Sequence, residues 1–209
     1  MKTVSILAQK GGAGKTTLAL HWAVEAERQG VGRVAVIDMD PQGSAISWSL
    51  RRAAPTPAML RADAGNIREA LTACEAEGMA LVFIDTMPRI EAPCVEAARV
   101  AHLGILPCGP SVVDIEAIGA TVAILRRVHT PGGIVLNQGR PGSPINAKAA
   151  SVLTQYRIPM CPVHVMRRAA LADAFTDGRA VVEIEPHGKA ADEIRRSWAW
   201  IAQQLQGAS

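Results

Sequence analysis

Three stretches of the chain place glycines, lysines and acids where short apolar runs end. The first is Gln9-Lys10-Gly11-Gly12-Ala13-Gly14-Lys15-Thr16-Thr17. Glycines let such a loop wrap so that consecutive backbone N–H groups point inward at phosphate oxygens. A helix starting at its end adds a positive pole. Gly11, Gly12, Ala13, Gly14 and Thr17 then surround a nucleotide's phosphates, Lys15 reaches the β- and γ-phosphates, and the Thr16 hydroxyl binds Mg2+. The second stretch is Val36-Ile37-Asp38-Met39-Asp40-Pro41-Gln42-Gly43. Residues two apart on an extended chain face the same side, so Asp38 and Asp40 can both face the phosphate site. One acid supports the Mg2+ shell and the other polarises an attacking water. The third is Phe83-Ile84-Asp85-Thr86-Met87-Pro88, where Asp85 can hold a Mg2+-bound water or the Thr16 hydroxyl. Asn137, after another apolar run, offers an amide for an adenine edge or for bracing a turn. The chemistry implied is Mg2+-dependent hydrolysis of a nucleotide's terminal phosphate.

Those residues need a scaffold that brings strand ends to one edge. Short apolar runs at 3–8, 33–38, 80–85, 103–107 and 133–137, with a weaker one at 160–165, read as strands. Helical stretches fall at 16–29, 43–53, 65–77, 91–101, 112–128, 144–156, 168–177 and 188–206. Ser143-Pro144 reads as a helix start, with proline at the first helical position. Such alternation predicts an α/β fold: a doubly wound, mostly parallel sheet with helices on both faces. Ligands on such sheets sit at the carboxyl ends of the strands. No internal repeat appears, and the loop-like stretch at 53–57 is too short to divide the chain, so one domain over 1–209 is expected.

With 49% hydrophobic and 20% charged residues, the 209-residue chain has the makings of a packed core and not of a disordered segment. Aromatics are only 3%, so Ala, Val, Ile and Leu must build that core. No apolar run is long enough to span a membrane, and the N-terminus lacks a signal peptide's apolar region. Cys74, Cys94, Cys108 and Cys161 lie far apart, which argues against a disulfide scaffold or zinc site and fits a reducing cytoplasm. Residues 126–209 hold 11 Lys and Arg against 6 Asp and Glu, whereas residues 1–125 hold 11 against 13. The net charge of +3 is therefore concentrated in the last third, where an anionic partner could bind. In the final helix Ile194, Trp198, Ile201 and Leu205 form a core-docking stripe. Residues 200–209 contain no Lys or Arg, so a stable membrane-binding helix is not expected there.

These motifs resemble the ParA/MinD-type deviant Walker A ATPases, and most of all the short ParA (ParF-like) partition proteins. The resemblance covers nearly the whole chain and rests on Lys10 ahead of the glycine pair, the D-x-D-P-Q-G string at 38–43, Asp85-Thr86, and Pro107, Pro110, Ser111 and Asp114. It extends to Arg167, Leu171, Asp173, Ala174, Gly178 and Arg179. Met87 stands where the family usually has proline. The resemblance implies that Lys10 reaches the partner's phosphates in an ATP-sandwiched homodimer and that Asp40 is the water-activating acid. It also implies non-specific DNA binding through the Arg167–Arg168 region, by phosphate contacts that read no sequence. Lys189, Arg195 and Arg196 are further candidate DNA contacts, with Asp192 and Glu193 within one turn to neutralise them. The expected role is segregation of plasmid or chromosomal DNA by a cytoplasmic, nucleoid-associated motor reset by a ParB-type adaptor. The alternatives are the same motor carrying a protein cargo and a MinD-like membrane-site selector.

Overall fold

The computed structural model describes residues 1–88 and 92–207. Six strands form one parallel sheet: β1 Lys2–Ile6, β2 Val34–Asp38, β3 Ala58–Arg61, β4 Leu81–Asp85, β5 Leu103–Cys108 and β6 Gly132–Leu136, in the order β3-β2-β4-β1-β5-β6. The helices are α1 Lys15–Arg28, α2 Ser44–Arg51, α3 Ile67–Ala76, α4 Ala92–Arg99, α5 Val112–Val128, α6 Ile145–Leu153, α7 Ala169–Thr176, α8 Val181–Ile184 and α9 Lys189–Gly207. A 3-10 turn, Thr154–Tyr156, extends α6.

The strands are apolar throughout because both faces are covered. Along β2, Val34 and Val36 join one core layer while Ala35 and Ile37 join the other. Leu81 and Phe83 of β4 likewise face away from Val82 and Ile84. The first layer holds α1, α2 and α7 to α9; the second holds α3 to α6. The four residues of the α9 stripe are all buried, and Trp198 meets Phe83 edge to face at 5.8 Å. Trp200 lies off the stripe and covers Gly133, where a Cβ would come within 2.6 Å of its ring.

Three elements differ from the sequence expectation, and one of them is the four-residue helix α8, which lies where no helix is expected. β3, four residues on the sheet edge, was not foreseen; its half-buried Ala-Met-Leu-Arg run is too short to show a period. The run at 160–165 is not a strand. It follows β6 through isolated bridges at Met160 and Met166 and backbone bonds from Cys161 and Val165, because Pro159 and Pro162 withhold donors. Helix 144–156 starts one residue later, with Pro144 at the cap. The expected start of helix 91–101 at Glu91 lies outside the described residues. Among the described residues no helix is long and apolar enough to cross a membrane.

Candidate functional site

The loop between β1 and α1 is held from below by the end of β6. The Asn137 side-chain amide donates to Ala13 O at 2.7 Å, and Gln138 Nε2 donates to Gly12 O at 2.5 Å. Asn137 therefore takes the turn-bracing role in this structure. Gly14 caps α1 with φ 87°, and a Cβ there would fall 2.3 Å from Asn137 Nδ2, so both conformation and space require glycine. Lys15, the first residue of α1, is buried and its side chain makes no ion pair or hydrogen bond among the described residues. Burial pulls its ammonium below the ordinary lysine value, while Asp85 and Asp40 oppose that shift. Thr16 and Thr17 follow half-buried on the first turn. A buried cation without a partner, beside a glycine loop at a helix N-terminus, suits a polyphosphate.

Strand register brings the acids level. Asp38 and Asp85 are direct neighbours across β2 and β4, and Ile6, where the phosphate loop departs, is level with Asp85. Asp85 is fully buried and neither carboxylate oxygen meets a hydrogen-bond donor in good geometry among the described residues. Burial pushes it up to about 7; the nearby Thr16 hydroxyl and Lys15 hold it down, while Asp38 and Asp40 push it up. An orphaned carboxylate facing a threonine hydroxyl fits a Mg2+ site. Among the described residues no three His, Cys, Asp or Glu form a cage of their own. A Mg2+ ion would instead share Thr16, Asp85 and phosphate oxygens.

Asp38 is committed to the backbone. Its Oδ1 accepts from Asp40 N–H at 3.0 Å, and its Oδ2 accepts from Ala45 and Ile46 N–H at 3.0 and 3.2 Å, capping α2 from outside the helix. Asp38 thus shapes the loop that carries Asp40, a role the sequence reading did not include. Asp40 is half-buried and accepts from Gln42 N–H at 2.9 Å. It lines a pocket of about 260 Å3 with Arg61, Asp63 and Met87. Arg61 was missed because β3 was missed; the register that sets it beside Asp38 is the signal that sequence alone lacks.

Lys10 projects to the other side of the loop, with Nζ 2.6 Å from Asp114 Oδ1 near the start of α5. Ser111, the α5 cap, bonds the other Asp114 oxygen at 2.5 Å. Burial works against ionisation of Asp114, but Lys10 and Ser111 together hold its carboxyl below the usual range. Val112 and Val113 stand exposed beside this pair.

The five candidate DNA contacts divide between two places. Arg167 lines a pocket of about 310 Å3 shared with Gly12, Gly14, Thr17, Asn137 and Gln138, next to the phosphate loop. Arg168, Lys189, Arg195 and Arg196 line a groove of about 580 Å3 on the α9 side, with His164 and His187. Arg168 touches both hollows and is locked by Glu193, which takes Arg168 Nη2 at 2.5 Å and Met166 N–H at 3.0 Å. Arg196 meets Asp192 at 3.5 Å, and Arg195 donates to Pro186 O at 2.7 Å. Lys189 is exposed and has no ion pair among the described residues.

Comparison with known proteins agrees with this geometry. Residues 4–181 match the family model described as the CobQ/CobB/MinD/ParA nucleotide binding domain. The chain is 30% identical to "Maintenance of carboxysome distribution protein A" of Gloeobacter kilaueensis, covering 98% of this chain and 94% of that one. It is 26% identical to "Protein IncC" of Escherichia coli, covering 93% and 67%. Its fold is similar to the septum site-determining protein MinD of Pyrococcus horikoshii solved with Mg-ADP: TM-score 0.77, 16% identity, 100% and 98% covered.

Proposed function

The chain belongs to the CobQ/CobB/MinD/ParA nucleotide-binding family, and from that premise we propose that it is a positioning motor of the ParA type. It is an ATPase that uses ATP and Mg2+. The observation that carries the motor reading is Lys10: a second lysine beside the phosphate loop, pointing away from it and parked on Asp114 at a surface with two exposed valines. That lysine is free to serve a second copy's phosphates once it leaves Asp114.

In the ATP state the backbone of 11–14 and Lys15 hold the phosphates, and Thr16 and Asp85 hold Mg2+, which neutralises phosphate charge when bound. Asp40, on the loop between β2 and α2, orients water for attack on the γ-phosphorus; the bond to the leaving ADP oxygen breaks, giving ADP and phosphate. Lys10 of each protomer reaches its partner, so dimerisation and hydrolysis are coupled. The groove of Arg168, Lys189, Arg195 and Arg196 supports binding of DNA phosphates without sequence preference. Dimerisation doubles that surface, so ATP switches DNA affinity through effective concentration. An adaptor of ParB type, bound to plasmid or chromosomal DNA, would stimulate hydrolysis and release the motor from the nucleoid. A protein assembly as cargo is the second reading, favoured by the 30% identity to a carboxysome distribution protein.

The test is retention on plain, non-specific DNA with ATP, with ADP and without nucleotide. ATP-dependent retention that falls steeply with salt is expected. Equal retention in all three states would overturn the DNA-gated motor. Tagging the protein in its native cell then separates the cargos: foci that follow a plasmid or chromosome locus support partition, and foci that follow a protein assembly support the second reading.

A further inference from the structure

The loop that carries Asp40 is fixed at both ends. At the front it leaves β2 at Asp38; at the rear it enters α2 at Gly43, whose φ is 64°. Asp38 then bonds the first turn of α2, so loop and helix form one body. An eight-residue helix is a stiff rod, and its far end decides where its near end sits.

That far end is bolted to α7 and the turn after it. Arg51 Nε donates to Thr176 O at 2.9 Å and Arg51 Nη2 to Phe175 O at 3.2 Å, satisfying terminal carbonyls of α7. Arg52 makes a two-pronged pair with Glu183, 2.9 Å on each prong, and donates to Gly178 O at 3.1 Å. Its guanidinium lies 4.8 Å from the Trp48 ring, and Trp48 Nε1 donates to Arg179 O at 3.3 Å. Gly178 has φ 67°, and a Cβ there would come within 2.5 Å of the Arg51 carbonyl carbon, so the two backbones meet with no room for a side chain. The Arg52 side chain is only 6% exposed. Burying a guanidinium to join two surface helices is costly unless the pairing is complete, as it is here. Nothing in phosphate binding uses these groups.

We propose that Arg51 and Arg52 are positioning residues of the ATPase: by fixing α2 to α7 and Glu183 they set where the Asp40 loop stands relative to the phosphate loop. The same bolt ties that loop to the segment ending in Arg167 and Arg168, which wall the pocket beside Gly12 and Gly14. The two sides of the nucleotide therefore move together. The proposal rests on the assignment of Asp40, which its test examines separately.

Arg51→Ala cuts exposed hydrogen bonds and leaves the buried pair in place. Arg52→Met with Glu183→Met removes both buried charges together, avoiding an unpaired one. Both variants are expected to fold by circular dichroism and to bind ATP within about twofold of wild type, with turnover lower by about tenfold, since small misplacements of a catalytic group are costly. Arg51→Lys, which keeps one donor, should recover part of the turnover. In hydrogen exchange, a non-hydrolysable ATP analogue should protect 38–46 and 169–176 together in wild type, but only 38–46 in Arg51→Ala. Wild-type turnover and joint protection in the folded variants would overturn the proposal, as would a turnover loss matched by equal loss of ATP affinity. Loss of turnover in Asp40→Ala with none in Arg51→Ala overturns the positioning role alone. Wild-type turnover in Asp40→Ala overturns the Asp40 assignment and the proposal with it.

Discussion

The phosphate end of the sheet and the basic groove beside α9 are built on opposite principles. The first uses backbone, short side chains and strand register: glycine N–H groups, Thr16, and Asp38 level with Asp85. The second uses long side chains whose charge is shared with neighbours far along the chain, as Arg168 is with Glu193. A site made of backbone keeps its geometry because the chain path fixes it. A site made of arginines has an effective charge set by what each guanidinium already holds. The first kind of site tolerates almost no substitution, and the second loses function in small steps.

The sharpest way to break that contrast is at Lys15. Lys15→Ala removes the one buried cation of the loop, and nucleotide affinity is expected to fall by about a hundredfold or more, to the edge of detection in calorimetry. A loss of only a few fold would mean that the backbone cradle suffices. Next in size is Asp40→Ala. Nucleotide binding and ATP-dependent dimerisation should persist, since Asp40 makes no hydrogen bond or ion pair to the phosphate loop among the described residues, while turnover falls by about a hundredfold. Single-turnover assays measure the chemical step directly; turnover near wild type would move the role to another residue.

The same contrast explains how much was legible beforehand. The course of 9–17 could be read from sequence because strand end, glycine turn and helix start follow one another in the chain, whereas its braces at Asn137 and Gln138 and the Lys10–Asp114 pair come from more than 100 residues away. Five of the six strands were visible as apolar runs, since burial on both faces leaves no polar interruption. Edge strand β3 escaped because it is short and half-buried, and Arg61 escaped with it. The division of Arg167 from Lys189, Arg195 and Arg196 was also illegible. It depends on Glu193 reaching back 25 residues to Arg168, and on the 160–168 segment running beside β6 without strand periodicity. The commitment of Asp38 to α2 escaped for a different reason: an Asp two residues before another reads as a matched pair, and only the turn at Gly43 shows what it caps.

His21 is buried where α1 meets α8. It lies on α1, directly behind the phosphate loop, and its Nδ1 accepts from Val181 N–H at 3.0 Å. Burial pushes it down to about 4, with the Leu171 backbone and Glu183 pulling weakly the other way. A base lowered from 6.5 to about 4 binds its proton more readily in the unfolded chain, so stability falls as pH drops from about 6.5 towards 4. The full loss corresponds to about 3 kcal/mol. Asp85, raised to about 7, gives the opposite slope, so the diagnostic quantity is the difference between wild type and His21→Asn. Asn keeps an acceptor for Val181 and does not titrate. Denaturant unfolding at pH 7 and pH 4 should show the variant gaining about 3 kcal/mol relative to wild type between the two; parallel curves would mean that His21 is already exposed to water.

The smallest effects are expected in the groove, and they test the claim that its cations are not equivalent. Lys189 is exposed without an ion pair among the described residues; Arg168 is held by Glu193 at 2.5 Å. A cation already paired releases little counterion when it meets a phosphate, because its charge is already partly cancelled. Lys189→Ala should therefore reduce the salt slope of DNA binding by about one per protomer and weaken affinity a few fold. Arg168→Ala should change the slope less, and should disturb the Met166 backbone that Glu193 also holds. Arg195 and Arg196 fall between them, each with a weaker or neutral partner, Asp192 at 3.5 Å for Arg196 and the Pro186 carbonyl for Arg195. Arg167→Ala belongs to the other region: from its place beside Gly12 and Gly14 it should weaken nucleotide binding more than DNA binding. The measurement is DNA affinity at several salt concentrations with ATP present, set beside ATP affinity for the same five single alanine variants. If Arg168→Ala flattens the salt curve more than Lys189→Ala, the Glu193 pair opens on DNA and the groove works with its full charge; if Arg167→Ala alone abolishes DNA binding, the boundary between the two regions lies on the α9 side of Arg167.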